Sequence, residues 1–279
     1  MVIKKVTDFK EIYNYQKKFH LPNLSNISYD KWLESFTNDK DASGRTLFKE
    51  LVTLSAYVND KLVGYIQYGT SSFGFDEKGE ISFDISYSII RNLYFDKDKF
   101  ESKNPLIEEA LSYFKNSKRI YAFFHYFGLK CLSRFGKLFI VHDHIEKSLK
   151  EYNFYVEHEN IYYSKKLTKN TDNNEIQLSI SKDESINVDF IKNEEVVGSA
   201  NLDLVNDELA FLRYIYIKEN LRKLNLATKS LSILEQYLLD QGLKSLDTDT
   251  SSSNLAAIAL YNKARFNKVG IARSYILDK

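Results

Sequence analysis

The opening residues VIKKV read as a short strand. From about Asp8 to Phe19 the apolar positions Phe9, Ile12 and Phe19 recur at helical intervals, with Asp8 and Glu11 at capping-box spacing. A second helix is expected from about Ser28 to Phe36, with Trp32, Leu33 and Phe36 turned inward. Three strand-like runs follow: LVTLSAYVN, KLVGYIQYG and EISFDISYSIIRNLYF. Asn59-Asp60 between the first two is a hairpin signal. A helix beginning at Pro105, a residue tolerated at the first helical position, carries Ile107, Leu111 and Phe114 on one face. RIYAFFHYF reads as a strand, and HIEKSLKEYNFYVEHENIYYSKKL closes this part of the chain.

Between Leu167 and Glu175 lies LTKNTDNNE, polar and rich in turn residues, which is expected to be a linker. The pattern then repeats. SINVDFIKN and EEVVGSANLDL form a strand pair, ELAFLRYIYI is a third strand, and a long helix spans about Leu226 to Gln241. Ala227, Leu231, Leu234 and Leu238 form one stripe of that helix, and Gly242 supplies its stop. LKSLDTDT is the next strand, NLAAIALYNKA a helix and KVGIARSYIL the last strand. KLVGYIQ aligns with EVVGSAN, placing Gly64 over Gly198, and LKEYNF aligns with LYNKARF, placing Phe154 over Phe266. An internal duplication is expected, with domains at 1–167 and 175–279, the second lacking the two early helices.

Composition narrows the function classes. The chain has 279 residues, 43% of them hydrophobic, with 20 Tyr and 19 Phe to fill a core. A net charge of +1 gives no electrostatic case for a nucleic acid or an anionic membrane partner. Cys131 is the only cysteine, so no intrachain disulfide forms; it is expected to be a packing residue in a reducing compartment. The N-terminus has no apolar stretch of signal-peptide type, and no run of about 20 apolar residues exists to span a membrane. A cytoplasmic protein is expected. His142 and His144 flank Asp143, but no further ligand cluster points to a metal.

The chemistry concentrates in LRYIYIKENLRKLNLATKSL. A strand ends near Ile217, a polar turn follows, and a helix begins at about Leu226. Backbone N–H groups of such a turn and of the first helical turn have no partner inside the helix; with the helix dipole they form a site for a pyrophosphate. Arg222 adds a guanidinium that forks onto phosphate oxygens, and Ala227 is small where a backbone must approach its ligand.

This stretch resembles the acyl-CoA pyrophosphate loop of the GNAT superfamily, whose pattern is Arg or Gln, two residues, Gly, one residue, then Gly or Ala. Here it reads Arg222-Lys223-Leu224-Asn225-Leu226-Ala227. Asn225 replaces the glycine and is expected to take a left-handed backbone, which Asn tolerates well. NLAAIALYNKARF resembles the family's next motif in register at Asn254, Ala257, Leu260, Tyr261, Lys263 and Phe266, with Arg265 in place of a second glycine.

The resemblance implies an α/β (α+β) fold of two GNAT-like domains, each a mixed, mostly antiparallel twisted sheet flanked by helices, the first degenerate. It implies acetyl-CoA as co-substrate, held by Ile215, Tyr216, Ile217, the turn Arg222, Lys223, Leu224, Asn225, Leu226, Ala227 and Thr228, and by Asn254 and Lys263. It implies direct attack by an amine in a ternary complex, the acceptor being an amine-bearing small molecule or peptide. Tyr261 matches the family's tyrosine that protonates the departing thiolate. A tyrosine of pKa near 10 donating to a thiolate whose acid lies near 8.5 is uphill by roughly 2 kcal/mol, so positioning the sulfur is the larger part of that role. For the base, Asp247 and Asp249 share one face of their strand; Asp249, nearer the strand end, is favoured, with a water chain or no dedicated base as the alternative. The chain is expected as a monomer or homodimer. A catalytically idle acyl-CoA-binding or scaffold protein is the second reading, suggested by the two lost glycines.

Overall fold

A computed structural model describes residues 1–22, 24–40, 44–100, 103–169, 175–183 and 185–279. The chain forms two compact units, Met1–Glu159 with Ala272–Lys279, and Asn160–Ile271. Most of the expected linker, 170–174, lies outside the described residues.

In the first unit β1 (Val2–Lys5) leads into α1 (Phe9–Gln16), which Asp8 caps through Lys10 N–H, and α2 (Tyr29–Asn38), which Ser28 caps. β2 (Phe48–Val58) and β3 (Lys61–Ser71) make the hairpin, with Asn59 and Asp60 both at positive φ as a two-residue turn of this hand requires. The run EISFDISYSIIRNLYF is not one strand. β4 (Gly74–Phe75) and β5 (Ile81–Ser82) form a small ribbon, and β6 (Ser88–Phe95) is separate. α3 (Pro105–Tyr113) follows, with Asn104 as its cap. β7 stops at Ala122 (Arg119–Ala122) because Phe123 turns left-handed at φ 57°; RIYAFFHYF is thus half strand and half turn. β8 (Leu138–Phe139), α4 (Asp143–Glu151) and β9 (Tyr155–Lys166) complete the series. The sheet order is β1-β2-β3-β6-β7, closed by the end of β15 (Asn267–Asp278), whose Tyr275–Asp278 pair antiparallel with β7.

The second unit runs β10 (Gln177–Lys182), β11 (Ile186–Lys192), β12 (Glu195–Asn206), β13 (Leu209–Ile217), α5 (Leu226–Asp240), β14 (Ser245–Ser251) and α6 (Leu255–Lys263). β10 is a strand that the sequence pattern did not single out. Its sheet order is β10-β11-β12-β13-β14, then Asn160–Lys166 of β9 antiparallel to β14. Among the described pairings of this unit β13–β14 is the parallel one, as β6–β7 is in the first unit. Leu231, Leu234 and Leu238 of α5 are fully buried against Leu202, Ala210, Leu212 and Leu246 of one sheet face. Burying such a side chain contributes about 1.5–3 kcal/mol each, so this face anchors the helix whose N-terminus matters below.

The duplication extends to backbone detail. Gly64 pairs with Phe95 and Gly198 with Ile217; the hairpins turn on Asn59-Asp60 and on Asn193-Glu194, all four left-handed. One residue is bulged out in each third strand, Arg91 of β6 and Arg213 of β13. α4 and α6 are 9 residues each and end alike. Phe154 N–H bonds Leu149 C=O and Asn153 N–H bonds Lys150 C=O; Phe266 N–H bonds Tyr261 C=O and Arg265 N–H bonds Asn262 C=O. Both ends are Schellman motifs, with Asn153 and Arg265 left-handed.

Candidate active site

β13 and β14 run parallel from Leu209 opposite Ser245 to Leu212 opposite Thr248, where the pairing stops while both strands continue. The cause sits on β13. Asn201 of β12 faces Tyr214 and Leu202 faces Leu212, so Arg213 is an extra residue that bends the strand and raises its twist. The β12 ladder then fixes which main-chain groups face the opening. Lys218 N–H bonds Val197 C=O at 2.9 Å, which makes Gly198–Ile217, and by alternation Ala200–Ile215, non-hydrogen-bonded pairs. The N–H groups of Ile215 and Ile217 therefore point away from β12, to the side β14 has left. The N–H of Tyr216 is engaged in the ladder, so of these three expected binding residues two offer a main-chain donor to the gap. Gly198 permits this geometry, since a Cβ there would meet Tyr216 O at 2.2 Å.

After β13 the chain makes a tight turn into α5. Lys223 and Asn225 are both left-handed, Asn225 at φ 61°, ψ 13°, and no side chain caps the helix. The first-turn amides of α5 thus keep their donors for a ligand. Asn225 does not reach back because its Oδ1 accepts from Lys263 Nζ at 2.7 Å, tying the turn to α6. Arg222 lies half-exposed beside the turn, its Nε donating to Ile217 O at 3.2 Å and its guanidinium 5.6 Å from the Tyr216 ring. Leu224 is exposed, Leu226 is buried as the first hydrophobic anchor of α5, and Ala227 and Thr228 are half-buried.

Tyr261 is buried at the point where the strands part. Its Oη lies 3.4 Å from Thr248 Oγ1, and that hydroxyl donates to Leu212 O at 2.9 Å, linking the phenol to the last paired residue of each strand. Phe266 and Tyr163 pack on its ring at 5.4 and 5.5 Å. Burial raises its pKa above the ordinary tyrosine value; the Thr248 hydroxyl opposes that shift and the Asp249 charge adds to it. Alternation puts Asp247 and Asp249 on the opposite face of β14 from Thr248. Asp247 is buried and accepts from Tyr162 Oη at 2.8 Å; Asp249 is half-buried and accepts from Asn160 Nδ2 at 2.7 Å. Asn254 caps α6 through Ala257 N–H at 3.2 Å and is exposed beside the strand end. Thr248 and Tyr162 are site residues that sequence reasoning missed. Strand alternation around Asp247 and Asp249 was the available signal for Thr248; Tyr162 lies on a strand remote in sequence. Among the described residues no group of three or more His, Cys, Asp or Glu is placed to hold a metal, and no helix is long and apolar enough to cross a membrane.

Residues 147–266 match the family model "Acetyltransferase (GNAT) family". This chain carries a GNAT domain. The match takes in the gap, the α5 turn and α6, and the GNAT fold recurs in solved structures that superpose on nearly the whole chain. A GCN5-related glucosamine N-acetyltransferase region of a fungal multi-domain GH3 β-N-acetylglucosaminidase covers 99% of the chain with TM-score 0.69 at 10% identity; the chain spans only 38% of that protein. A GCN5-related N-acetyltransferase from Sphaerobacter thermophilus covers 99% of this chain and 95% of its own, with TM-score 0.63 at 7% identity. A tandem GNAT protein from the clavulanic acid biosynthesis pathway covers 89% and 94%, with TM-score 0.56 at 9% identity. Both units accordingly have the GNAT-like α/β architecture, a mixed and mostly antiparallel sheet flanked by helices. No curated protein matches the chain by sequence.

Proposed function

We propose that this GNAT chain transfers an acetyl group from acetyl-CoA to a primary amine of a small molecule or peptide, using one site in the second unit. The observation that carries this reading is the gap past Leu212 and Thr248, with a tyrosine hydroxyl at its apex and an uncapped helix N-terminus at its mouth. The residues present suit CoA. The left-handed turn and free first-turn amides of α5 receive a pyrophosphate, and Arg222 adds charge. The N–H groups of Ile215 and Ile217 face the gap, where a pantetheine-like arm would lie as an extra strand beside β13.

The thioester supplies an activated acyl carbon, and the protein supplies position and dipoles. An N–H of Ile215 or Ile217 is preorganised to receive the negative charge that develops on the carbonyl oxygen. The acyl carbon in the gap is open to both sheet faces, so the amine arrives from the Asp247 and Asp249 face while Tyr261 serves the sulfur from the other. An alkylamine of pKa near 10.4 must lose a proton first, and Asp249, half-buried at the strand end, is the nearer carboxylate to accept it. The raised pKa of Tyr261 makes it a poorer acid still, so its hydroxyl orients the sulfur more than it drives protonation.

In the first unit the corresponding features are filled. Asn104 already caps α3 through Leu106 N–H, Pro105 lacks an amide, Phe100 packs on Phe95 at 4.7 Å, and Leu149 stands where Tyr261 does. Bulged Arg91 is buried and donates to Asp39, Ser35, Phe127 and Gly128. The groove there, about 910 Å³, mixes Lys97, Lys147, Lys150 and Arg273 with Asp143, Glu146 and Glu151, and Arg273 is already paired with Glu146 and Glu159, a poor match to a pyrophosphate. We assign that unit a structural part.

The test is release of free CoA from acetyl-CoA with a panel of amines, wild type against Tyr261→Phe. Turnover that falls about a hundredfold in the variant at unchanged CoA affinity supports the reading. CoA binding with no turnover on any amine would support the idle alternative instead.

A further inference from the structure

Thr248 is the last residue of β14 to pair with β13, opposite Leu212, and Ala122 holds the matched place in the first unit, opposite Ile90. Both positions are fully buried, and the alanine makes the same parallel pairing without a hydroxyl. The strand pairing therefore does not require an oxygen at this place. Leu149 stands where Tyr261 does in the matched helix ends. The first unit lacks the hydroxyl and the phenol together, and the second unit has both.

Two hydroxyl hydrogens serve three oxygens in this pair. Thr248 has one hydrogen, and Leu212 O, a carbonyl that only accepts, takes it at 2.9 Å. Toward Tyr261 the Thr248 oxygen then only accepts, so the phenol hydrogen points at it across 3.4 Å, a long contact that is given up at little cost. The phenol ring itself is fixed. Tyr163 and Phe266 pack on it at 5.5 and 5.4 Å, and Phe266 N–H holds the Tyr261 carbonyl. What stays adjustable is the direction of the two O–H bonds, because hydroxyl hydrogens rotate. When Tyr261 turns its hydrogen toward an acceptor in the gap, the Thr248 hydrogen is free to leave Leu212 O for the phenol oxygen. In that arrangement Thr248 favours negative charge on the phenol oxygen, and it is this hydroxyl that acts against burial on the Tyr261 pKa.

Resting on the acyl-transfer reading above, we propose that Thr248 is a positioning residue for Tyr261: it receives the phenol hydrogen in the free protein and lends its own to the phenol oxygen when Tyr261 donates to the thioester sulfur. Thr248 touches neither cofactor nor amine in this role and acts only through Tyr261.

The experiment is a double-mutant cycle on kcat for CoA release from acetyl-CoA across the panel of amines: wild type, Thr248→Val, Tyr261→Phe and the double variant. Valine keeps the branched shape and removes the hydroxyl. Thr248→Val is expected to lower kcat about three- to tenfold, the range for one hydrogen bond, with KM for acetyl-CoA unchanged. Thr248→Ser, which keeps the hydroxyl, is expected to retain the wild-type kcat. Thr248→Ala, the residue that the first unit carries, is expected to behave as Thr248→Val, so the result does not rest on one variant. In the Tyr261→Phe background Thr248→Val is expected to cost nothing further, which a loss of packing would not produce. An unchanged kcat in Thr248→Val, or the same loss in both backgrounds, would overturn the proposal and leave the acyl-transfer reading standing. A wild type that releases no CoA with any amine would overturn that reading and this inference with it.

Discussion

Asn225 and Arg265 stand where the GNAT motifs have glycine, and both keep the left-handed backbone that glycine would take. The conformation is therefore retained and the glycine is not, which separates the demand of the turn from the residue that usually meets it. An L-residue in this region costs roughly 1–2 kcal/mol, so Arg265→Gly is expected to raise stability by about 1 kcal/mol, read as a higher denaturant midpoint at unchanged m-value. A lower midpoint would mean that the Arg265 side chain contributes to the fold of the free protein. At the proposed chemical centre, Tyr261 has its pKa raised by burial, so its folded pKa lies above the ordinary phenol value near 10. The hydroxyl then stays protonated through the neutral and mildly alkaline range, and the alkaline limb of a turnover–pH profile is expected to be the same in wild type and Tyr261→Phe below about pH 9.5. A limb near pH 8 that disappears in the variant would contradict this.

At the scale of elements, the site is a strand pair that separates and a helix that starts beside it. The extra residue Arg213 explains the separation, and Gly198 opposite Ile217 explains how β12 stays close. Helix α5 brings the end proposed to bind the pyrophosphate because Leu231, Leu234 and Leu238 lock its length onto the sheet. Arg222→Ala is expected to weaken acetyl-CoA by about 1.5–3 kcal/mol, the range for a hydrogen bond to a charged group, with the thermal midpoint almost unmoved. An unchanged affinity would detach Arg222 from the cofactor and with it the match to the family's loop. The strand–turn–helix and the α6 motif were legible in the sequence because each rests on local spacing: Arg222 to Ala227, and Asn254 to Phe266. Other features were not. The bulge at Arg213 depends on register against β12, and the Tyr162–Asp247 contact joins strands distant in sequence. Both strand misreadings, at EISFDISYSIIRNLYF and RIYAFFHYF, arose where apolar alternation continued through backbone that turns, at Phe123 through a left-handed residue.

In each of the two units one backbone pattern recurs, with matching glycines, hairpins, bulges and helix ends. The side chains at matched positions differ where the backbone does not. Leu149 and Tyr261 occupy the same position of matched helix ends; Phe100 aligns with Arg222, and Arg91 and Arg213 are the matched bulge residues. Arg91 is buried against Asp39, which also accepts from Arg134, and removing Asp39 would leave the buried Arg91 charge uncompensated, so the first unit holds this pair for its own fold. The central claim is that the intact gap, uncapped helix and tyrosine of the second unit make a single acyl-CoA site. Its most direct test is a calorimetric titration of the full chain with acetyl-CoA. One equivalent bound per chain is predicted. Two events of comparable affinity, or none at millimolar ligand, would contradict the claim.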